Sequence, residues 1–207
     1  MPRLLLVRHA QSTWNAEARW QGWADAPLSE VGRAQAEAMA GWLAGMGLAL
    51  GGVASSDLQR ALDTARIVAD RLGAGTVTVD TDLRERDVGD WTGRTTDEID
   101  LIWPGAITAW RTGLLDQPPG GEHEPSFRAR AAGAVHRLAG APGDDPVLVV
   151  THGGVIRAIE RHLGGERRGT PNLAGRWMDL DPDSGELRGG DYVALPDVED
   201  ETVTRAL

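Results

Sequence analysis

The 207-residue chain has no cysteine and no lysine. Without cysteine there is no disulfide framework, no thiolate nucleophile and no Cys-ligated metal centre. Without lysine there is no Schiff-base amine and no phosphate loop of the Walker type. All 21 fixed cations are therefore arginines, whose planar fork meets a phosphate or carboxylate through two parallel hydrogen bonds. The start, "MPRLLLVRHA", offers only four consecutive apolar residues. That run is too short for a signal-peptide core or a membrane span, so a cytoplasmic protein is expected. Positive charge is in short supply as well. The net charge of -10 argues against non-specific binding to nucleic acid or anionic membranes.

What is present suits a soluble globular protein. Hydrophobic residues make up 41% of the chain, and the length fits a single domain, residues 1–207, with a full core. No repeat or low-complexity block interrupts it. "LLLV" (4–7), "GGVASS" (51–56), "TVTVD" (76–80) and "PVLVV" (146–150) read as strands. Residues 10–27 read as a long loop. Ser29 suits an N-cap, with Val31, Met39, Trp42, Leu43 and Met46 forming a helical stripe after it. Residues 57–72 form a second helix, with Leu58, Leu62, Ala65, Ala69 and Leu72 on one face. Helical patterns follow at about 94–121, 125–139 and 153–163. "AGRWMDLD", the turn "PDSG" and "ELRGGDYVAL" close the chain as a hairpin. Strands alternating with helices predict a three-layer α/β/α sandwich with a mostly parallel sheet. The segment near 94–121 is expected to form a small helical cap over the carboxyl ends of the strands, where such sheets bind ligands.

Two of the buried strands end oddly. Arg8 and His9 follow "LLLV", and Thr151, His152, Gly153 and Gly154 follow "VLVV". Burying an arginine or a histidine costs several kcal/mol (about 2–7 for a merely polar group) unless it is paired. A helix after His152 offers free N–H groups and a positive dipole end to an anion. Arg60 opens another helix, off its apolar stripe, so it need not face the core. Three strand ends thus supply two arginines and two histidines with no acidic counterweight, which fits a phosphoryl group.

"LVRHAQSTWN", "SDLQRALDTA", "LRERDVGDWTG" and "VVTHGGVIR" resemble, in order, the signature segments of the histidine phosphatase superfamily, the phosphoglycerate-mutase-like proteins. Alanine at Ala10 stands where the family usually has glycine, which matters only if the position needs a positive φ. The resemblance implies that His9 is a nucleophile that becomes a phosphohistidine. It implies that Arg8, Arg60 and His152, the last as an imidazolium, hold the non-bridging oxygens. Asn15 and the Gly153 N–H are expected to add donors, and Gln21 and Gly22 join the substrate-contacting set. Glu85 matches the family's proton donor, with Asp82, Asp87 and Asp90 as rival carboxylates. A bound phosphate dianion beside such an acid favours its protonated form. No metal site and no cofactor are expected.

The branch is argued from the cap. Mutases of this superfamily carry a lysine, an adjacent arginine pair and a longer insertion after the proton donor. Here the lone Arg167-Arg168 pair lies past the second histidine. The resemblance therefore favours a phosphomonoesterase acting on a small phosphate ester such as a phosphosugar or glucosyl-phosphoglycerate. A 2,3-bisphosphoglycerate-dependent mutase and a non-catalytic phosphate-binding module are the alternatives, and a homodimer is the assembly left open. Arg94 and Arg111 are candidates for a second anion on the substrate. Trp14, Trp20 and Trp23 are candidates for a substrate wall and His123 for the pocket rim, while His136 and His162 read as structural or exposed.

Overall fold

The computed structural model describes residues 3–140, 143, 145–164, 169–181, 183–184 and 186–194. The Arg167-Arg168 pair and part of the "PDSG" turn lie outside the described residues. In chain order the elements are β1 (Arg3–Arg8), α1 (Thr13–Ala16), α2 (Glu30–Gly45), β2 (Gly52–Ser55), α3 (Gln59–Leu72) and β3 (Thr78–Val79). Then come α4 (Thr96–Ile102), α5 (Ala106–Thr112), α6 (Glu124–Ala139), β4 (Val147–Thr151), α7 (Gly153–His162), β5 (Gly175–Leu180) and β6 (Leu187–Val193). The sheet order is β3-β2-β4-β1-β5-β6. The first four strands run parallel, and β5 and β6 add an antiparallel hairpin beside β1.

Alternation along β1 divides the core. Leu5 and Val7 pack against α2 and α3, while Leu4 and Leu6 face the side covered by α6 and α7. That period of two is the strand's pleat, with helices burying both faces. Ser29 caps α2 as read from the sequence, its Oγ accepting from the Gly32 N–H at 3.0 Å.

Two helix stripes differ from the sequence reading. Val31 and Met46 are exposed, and α2 instead buries Gly32, Ala36, Met39, Ala40 and Leu43. Small residues dominate because the helix lies close to the loop before it: a Cβ on Gly32 would come within 1.9 Å of the Gln11 carbonyl. On α3 the buried stripe is centred on Ala61, Thr64, Ala65 and Val68, and it includes Arg60. Arg60, Thr64 and Val68 are spaced by four, so they share a face. The loop at 10–27 contains the short helix α1, and the third strand is only two residues long.

Residues 94–121 form two short helices, α4 and α5. They carry a separate apolar cluster of Val88, Trp91, Ile99 and Ile107, with Trp20, Trp103 and Trp110 packed against it. Trp91 meets Trp20 and Trp110 edge to face at 5.6 and 5.4 Å. Ring pairs of this kind add about 0.5–1.5 kcal/mol beyond their buried area. No helix of the described residues is long and apolar enough to cross a membrane.

Candidate active site

Strand register brings the two histidines together. Arg8 stands opposite Thr151 in the β1–β4 pair, so the next residue of each chain segment leaves the sheet at the same place. The rings of His9 and His152 are 5.2 Å apart, edge to face. His9 Nδ1–H donates to the Ala10 carbonyl at 2.7 Å, which leaves the lone pair on Nε2. Arg60 Nε–H donates to that Nε2 at 3.2 Å. Both bonds select the same neutral tautomer. Burial, and after it the charges of Arg60 and Arg8, holds the His9 pKa well below the ordinary 6.5. Ala10 has no positive φ, and its N–H donates to Thr64 Oγ1 at 3.1 Å, so a methyl group there causes no backbone strain.

Arg60 is almost completely enclosed. Its other N–H groups donate to the Ala24 and Gly22 carbonyls at 2.7 and 2.9 Å. Desolvation lowers its pKa to about 10, with the Glu85 carboxylate acting in the opposite direction; it stays cationic at neutral pH. Arg8 donates from Nη1 to the Thr170 carbonyl at 2.7 Å.

Glu85 is held at the start of α7. Its Oε2 accepts from the Gly154 N–H at 2.9 Å and its Oε1 from the Arg86 N–H at 2.8 Å. A Cβ on Gly154 would lie 1.9 Å from Oε1. Gly154 is therefore needed for the approach of this carboxylate rather than for the approach of a ligand. Of the four candidate carboxylates only Glu85 lines the cavity. Asp82 pairs with Arg137, Asp87 caps its own turn through the Gly89 N–H, and the Asp90 backbone carbonyl accepts from Arg94.

The cavity holds about 630 Å3 and is lined by Arg8, His9, Asn15, Gln21, Gly22, Arg60, Glu85 and Gly153 among others. Asn15 Oδ1 accepts from the Ser12 N–H at 3.1 Å, and Gln21 Oε1 accepts from Ser12 Oγ at 2.8 Å. Ser12 thereby occupies the acceptor ends of both amides and leaves their NH2 donors to the cavity. Gly22 contributes differently from a donor. It has φ +49 with Val88 packed against it, and its carbonyl orients Arg60.

Several expectations need correction. His152 is completely buried and does not line the cavity; its Nε2 shares a 3.0 Å hydrogen bond with Ser56 Oγ, and its Nδ1 has no hydrogen-bond partner among the described residues. Burial, then Arg60 and His9, lowers its pKa well below 6.5, so in the unliganded protein it is neutral imidazole and not imidazolium. Arg94 and His123 do not reach the cavity, and of the three loop tryptophans only Trp20 does. Trp14 packs over Gly93. Trp23 donates from Nε1 to the Glu85 carbonyl at 2.7 Å. His123, His136 and His162 are exposed.

The sequence reading missed the clamp behind Glu85. Arg130 donates to the carbonyls of Asp82, Arg84 and Glu85 at 2.9, 2.7 and 2.8 Å and to both oxygens of Glu122 at 2.7 and 2.8 Å. All five guanidinium N–H groups are used. It also missed Arg128, Arg157 and Arg161, which line the cavity. A signal was available for two of them: Gly153, Arg157 and Arg161 follow one another at spacings of four and share a helix face.

A neutral imidazole beside two guanidinium forks has the chemistry of a phosphoryl-transfer site. Among the described residues no three His, Asp or Glu side chains gather as a metal site would require. Residues 4–180 match the histidine phosphatase superfamily (branch 1), and the chain belongs to that superfamily; it is a histidine phosphatase. It is similar to the glucosyl-3-phosphoglycerate phosphatase of Mycolicibacterium vanbaalenii, 45% identical over 170 residues, 79% of this chain and 74% of that protein. A solved mycobacterial glucosyl-3-phosphoglycerate phosphatase in complex with VO3 superposes with a TM-score of 0.80 at 36% identity, covering 94% of this chain and 99% of that one. A 2,3-bisphosphoglycerate-dependent phosphoglycerate mutase of Methylorubrum populi is 34% identical over 171 residues, 80% of this chain and 81% of that protein.

Proposed function

We propose that this histidine phosphatase hydrolyses a small phosphorylated metabolite in the cytoplasm, with His9 as nucleophile and Glu85 as proton donor. The observation that carries the reading is the His9 tautomer, with Nδ1–H spent on Ala10 and the Nε2 lone pair at a cavity lined by arginine. Substrate binding displaces the Arg60 hydrogen bond from Nε2 onto a phosphoryl oxygen. Nε2 then attacks phosphorus, the bond from phosphorus to the ester oxygen breaks, and Glu85 gives that oxygen its proton. Arg8, Arg60, Asn15, Gln21 and the Gly153 N–H neutralise the equatorial oxygens, where most of the catalytic gain in phosphoryl transfer lies. In the second half-reaction the Glu85 carboxylate takes a proton from water. The hydroxide attacks phosphorus, the phosphorus–nitrogen bond breaks, and inorganic phosphate leaves. Negative charge on the bound phosphoryl group favours a proton on His152, whose ring stands beside that of His9.

Glucosyl-3-phosphoglycerate, the compound in the name of the M. vanbaalenii relative, is the first ester to test. The mutase reading has less behind it, because the chain has no lysine for the cap and the similarity to the mutase is lower. A module that merely bound phosphate would need neither the Nε2 lone pair nor a carboxyl group beside it. Incubation with 4-nitrophenyl phosphate followed by rapid quenching should trap acid-labile phosphate on His9. His9→Ala should abolish turnover with the fold intact, and excess chelator should leave the rate of the unmodified enzyme unchanged. Phosphate on a serine, or full activity in His9→Ala, would overturn the assignment. So would conversion of 3-phosphoglycerate to 2-phosphoglycerate far faster than any hydrolysis, with 2,3-bisphosphoglycerate supplied.

A further inference from the structure

Trp23 does not line the cavity, yet its setting is not that of a loop anchor. Of the eight tryptophans it is the only exposed one, at 42%, so its ring gains less from burial than the others do. What it has is a polar contact. The indole Nε1–H donates to the Glu85 carbonyl at 2.7 Å, and Arg130 Nη2–H donates to the same oxygen at 2.8 Å. A carbonyl oxygen has two lone pairs, and here both are used. The Glu85 carboxylate is held as well, by the N–H groups of Gly154 and Arg86. The guanidinium carbons of Arg84 and Arg130 stand 5.1 and 5.9 Å from the centre of the Trp23 ring, within the range of cation–π attraction. Arg84 is itself fixed by both carboxylate oxygens of Asp57.

The residues on either side of Trp23 hold the other end of the site. The Gly22 and Ala24 carbonyls accept from Arg60 Nη2 and Nη1 at 2.9 and 2.7 Å. Asp25 Oδ1 accepts from the Gln59 N–H at 2.6 Å, at the start of the helix that carries Arg60. Gly22 also lies against the segment that follows Glu85: a Cβ there would come within 2.9 Å of the Val88 amide nitrogen and 3.4 Å of the Arg86 carbonyl. Four consecutive residues, 22–25, therefore tie the guanidinium of Arg60 to the backbone of Glu85. A general acid acts only from the right place, and a misplacement of about 1 Å can cost about 10²-fold in rate.

We infer that Trp23 is a positioning residue, a strut that sets the distance between the proposed proton donor, Glu85, and the phosphoryl group bound at Arg60. The inference rests on the phosphatase reading with Glu85 as the acid. Trp23 touches no substrate. Its indole N–H acts on the Glu85 backbone, and its chain neighbours Gly22 and Ala24 act on Arg60. The substrate wall expected of this tryptophan from the sequence gives way to a role behind the acid.

The test compares an alkyl ester, glycerol 3-phosphate, with 4-nitrophenyl phosphate. Trp23→Phe keeps an aromatic ring beside Arg84 and Arg130 and removes the N–H donor. With the full-length enzyme, kcat on glycerol 3-phosphate should fall about tenfold and on 4-nitrophenyl phosphate about threefold at most, the losses of Glu85→Gln in smaller measure. Affinity for inorganic phosphate, measured by calorimetry, should stay within about twofold, because the Gly22 and Ala24 carbonyls still hold Arg60. In the double variant with Glu85→Gln, Trp23→Phe should cost neither ester anything further, since its effect passes through Glu85. An undiminished loss in that background overturns the strut, as does a phosphate affinity weakened by as much as kcat. Equal losses on both esters in Glu85→Gln itself would count against the proton-donor role, and the double variant still decides whether Trp23 acts through Glu85. The unmodified enzyme supplies a measurement that needs no variant to fold. Although its ring is exposed, the Trp23 indole N–H should exchange with water at least about fivefold more slowly than a free indole. Exchange at the free rate overturns the strut.

Discussion

His9 can act as a nucleophile only while Nε2 keeps its lone pair, and two neighbours hold it in that form: the Ala10 carbonyl accepts from Nδ1–H, and Arg60 Nε–H donates to Nε2. Glu85 can serve as the proposed proton donor only if its carboxyl group stays beside the ester oxygen. Those two roles separate experimentally. General acid catalysis contributes about 10²–10⁴-fold, and mainly when the leaving group is a poor one. Glu85→Gln should therefore lower hydrolysis of an alkyl phosphate by about 10²-fold or more and that of 4-nitrophenyl phosphate by about tenfold less. Phosphohistidine should still form from the aryl ester and then persist, because the base for water is gone. Equal losses on both esters would make Glu85 a binding residue. A loss confined largely to the alkyl ester in Asp87→Asn, and not in Glu85→Gln, would move the assignment to Asp87. At this scale Arg8, His9 and His152 stood out because basic residues directly after an apolar strand need a reason, whereas Arg60 was read as lying off the buried stripe of the helix that it in fact joins. The neutral state of His152 was not legible, since it depends on burial beside Arg60 and His9, which only the packed structure supplies.

Helix α7 does more than carry His152 at its N-cap. Its second residue, Gly154, donates to Glu85, and the missing side chain makes room for that carboxylate. Gly154→Ala should therefore behave as an acid-deficient enzyme rather than an unfolded one. Helix propensity favours alanine by about 1 kcal/mol, so the thermal midpoint should hardly fall. Alkyl phosphate turnover should drop about 10²-fold, with phosphohistidine formation from the aryl ester retained. A collapse of both activities together with the far-ultraviolet dichroism would mean that the glycine is needed for folding. The loop bearing Glu85 has a further fastening in Arg130, which spans from Asp82 to Glu85 and back to Glu122. Sequence periodicity cannot show a clamp of this kind, because its partners are backbone carbonyls on a segment far from α6 in the chain. Periodicity failed on α2 and α3 for a related reason. The stripe of large apolar residues marked the helices, but which face was buried depended on how closely each helix approached its neighbour, and close approach selected Gly32, Ala36 and Ala40.

At the scale of the whole molecule the two buried histidines tie stability to pH. In the folded protein both have pKa values well below 6.5, through burial first and the nearby cations second. In the unfolded chain they return to about 6.5. Below about pH 6.5 the unfolded chain therefore binds protons that the folded one refuses. The stability present above that pH is lost as the pH falls toward the depressed folded values, at up to about 1.4 kcal/mol per pH unit for each histidine. The denaturation midpoint should be lower at about pH 5.5 than at about pH 7.5, with the slope against denaturant unchanged. In the double variant His9→Gln, His152→Gln this part of the pH dependence should disappear. Equal midpoints at the two pH values, or a difference that survives in the double variant, would show that the histidines are not buried as neutral rings.

By itself the sequence determined the class of fold and the chemistry at its centre. Alternating strands and helices require a covered, mostly parallel sheet. With neither cysteine nor lysine, an anion site has only arginine, histidine and backbone N–H groups to draw on. His9 and His152 each stood at a strand end, but 143 positions apart in the chain. Only the register of β1 against β4 made them neighbours, because hydrogen bonding in a parallel pair fixes Arg8 opposite Thr151 and so aligns whatever follows. Tertiary structure also decided which charges face the cavity. Arg128 and Arg94 are equally cationic on paper, yet Arg128 lines the cavity and Arg94 turns back to the Asp90 carbonyl. The reason is physical. Apolar periodicity records the free energy of leaving water, which acts on each residue locally. The direction of an arginine depends on partners supplied by distant segments, and those exist only once the chain has packed.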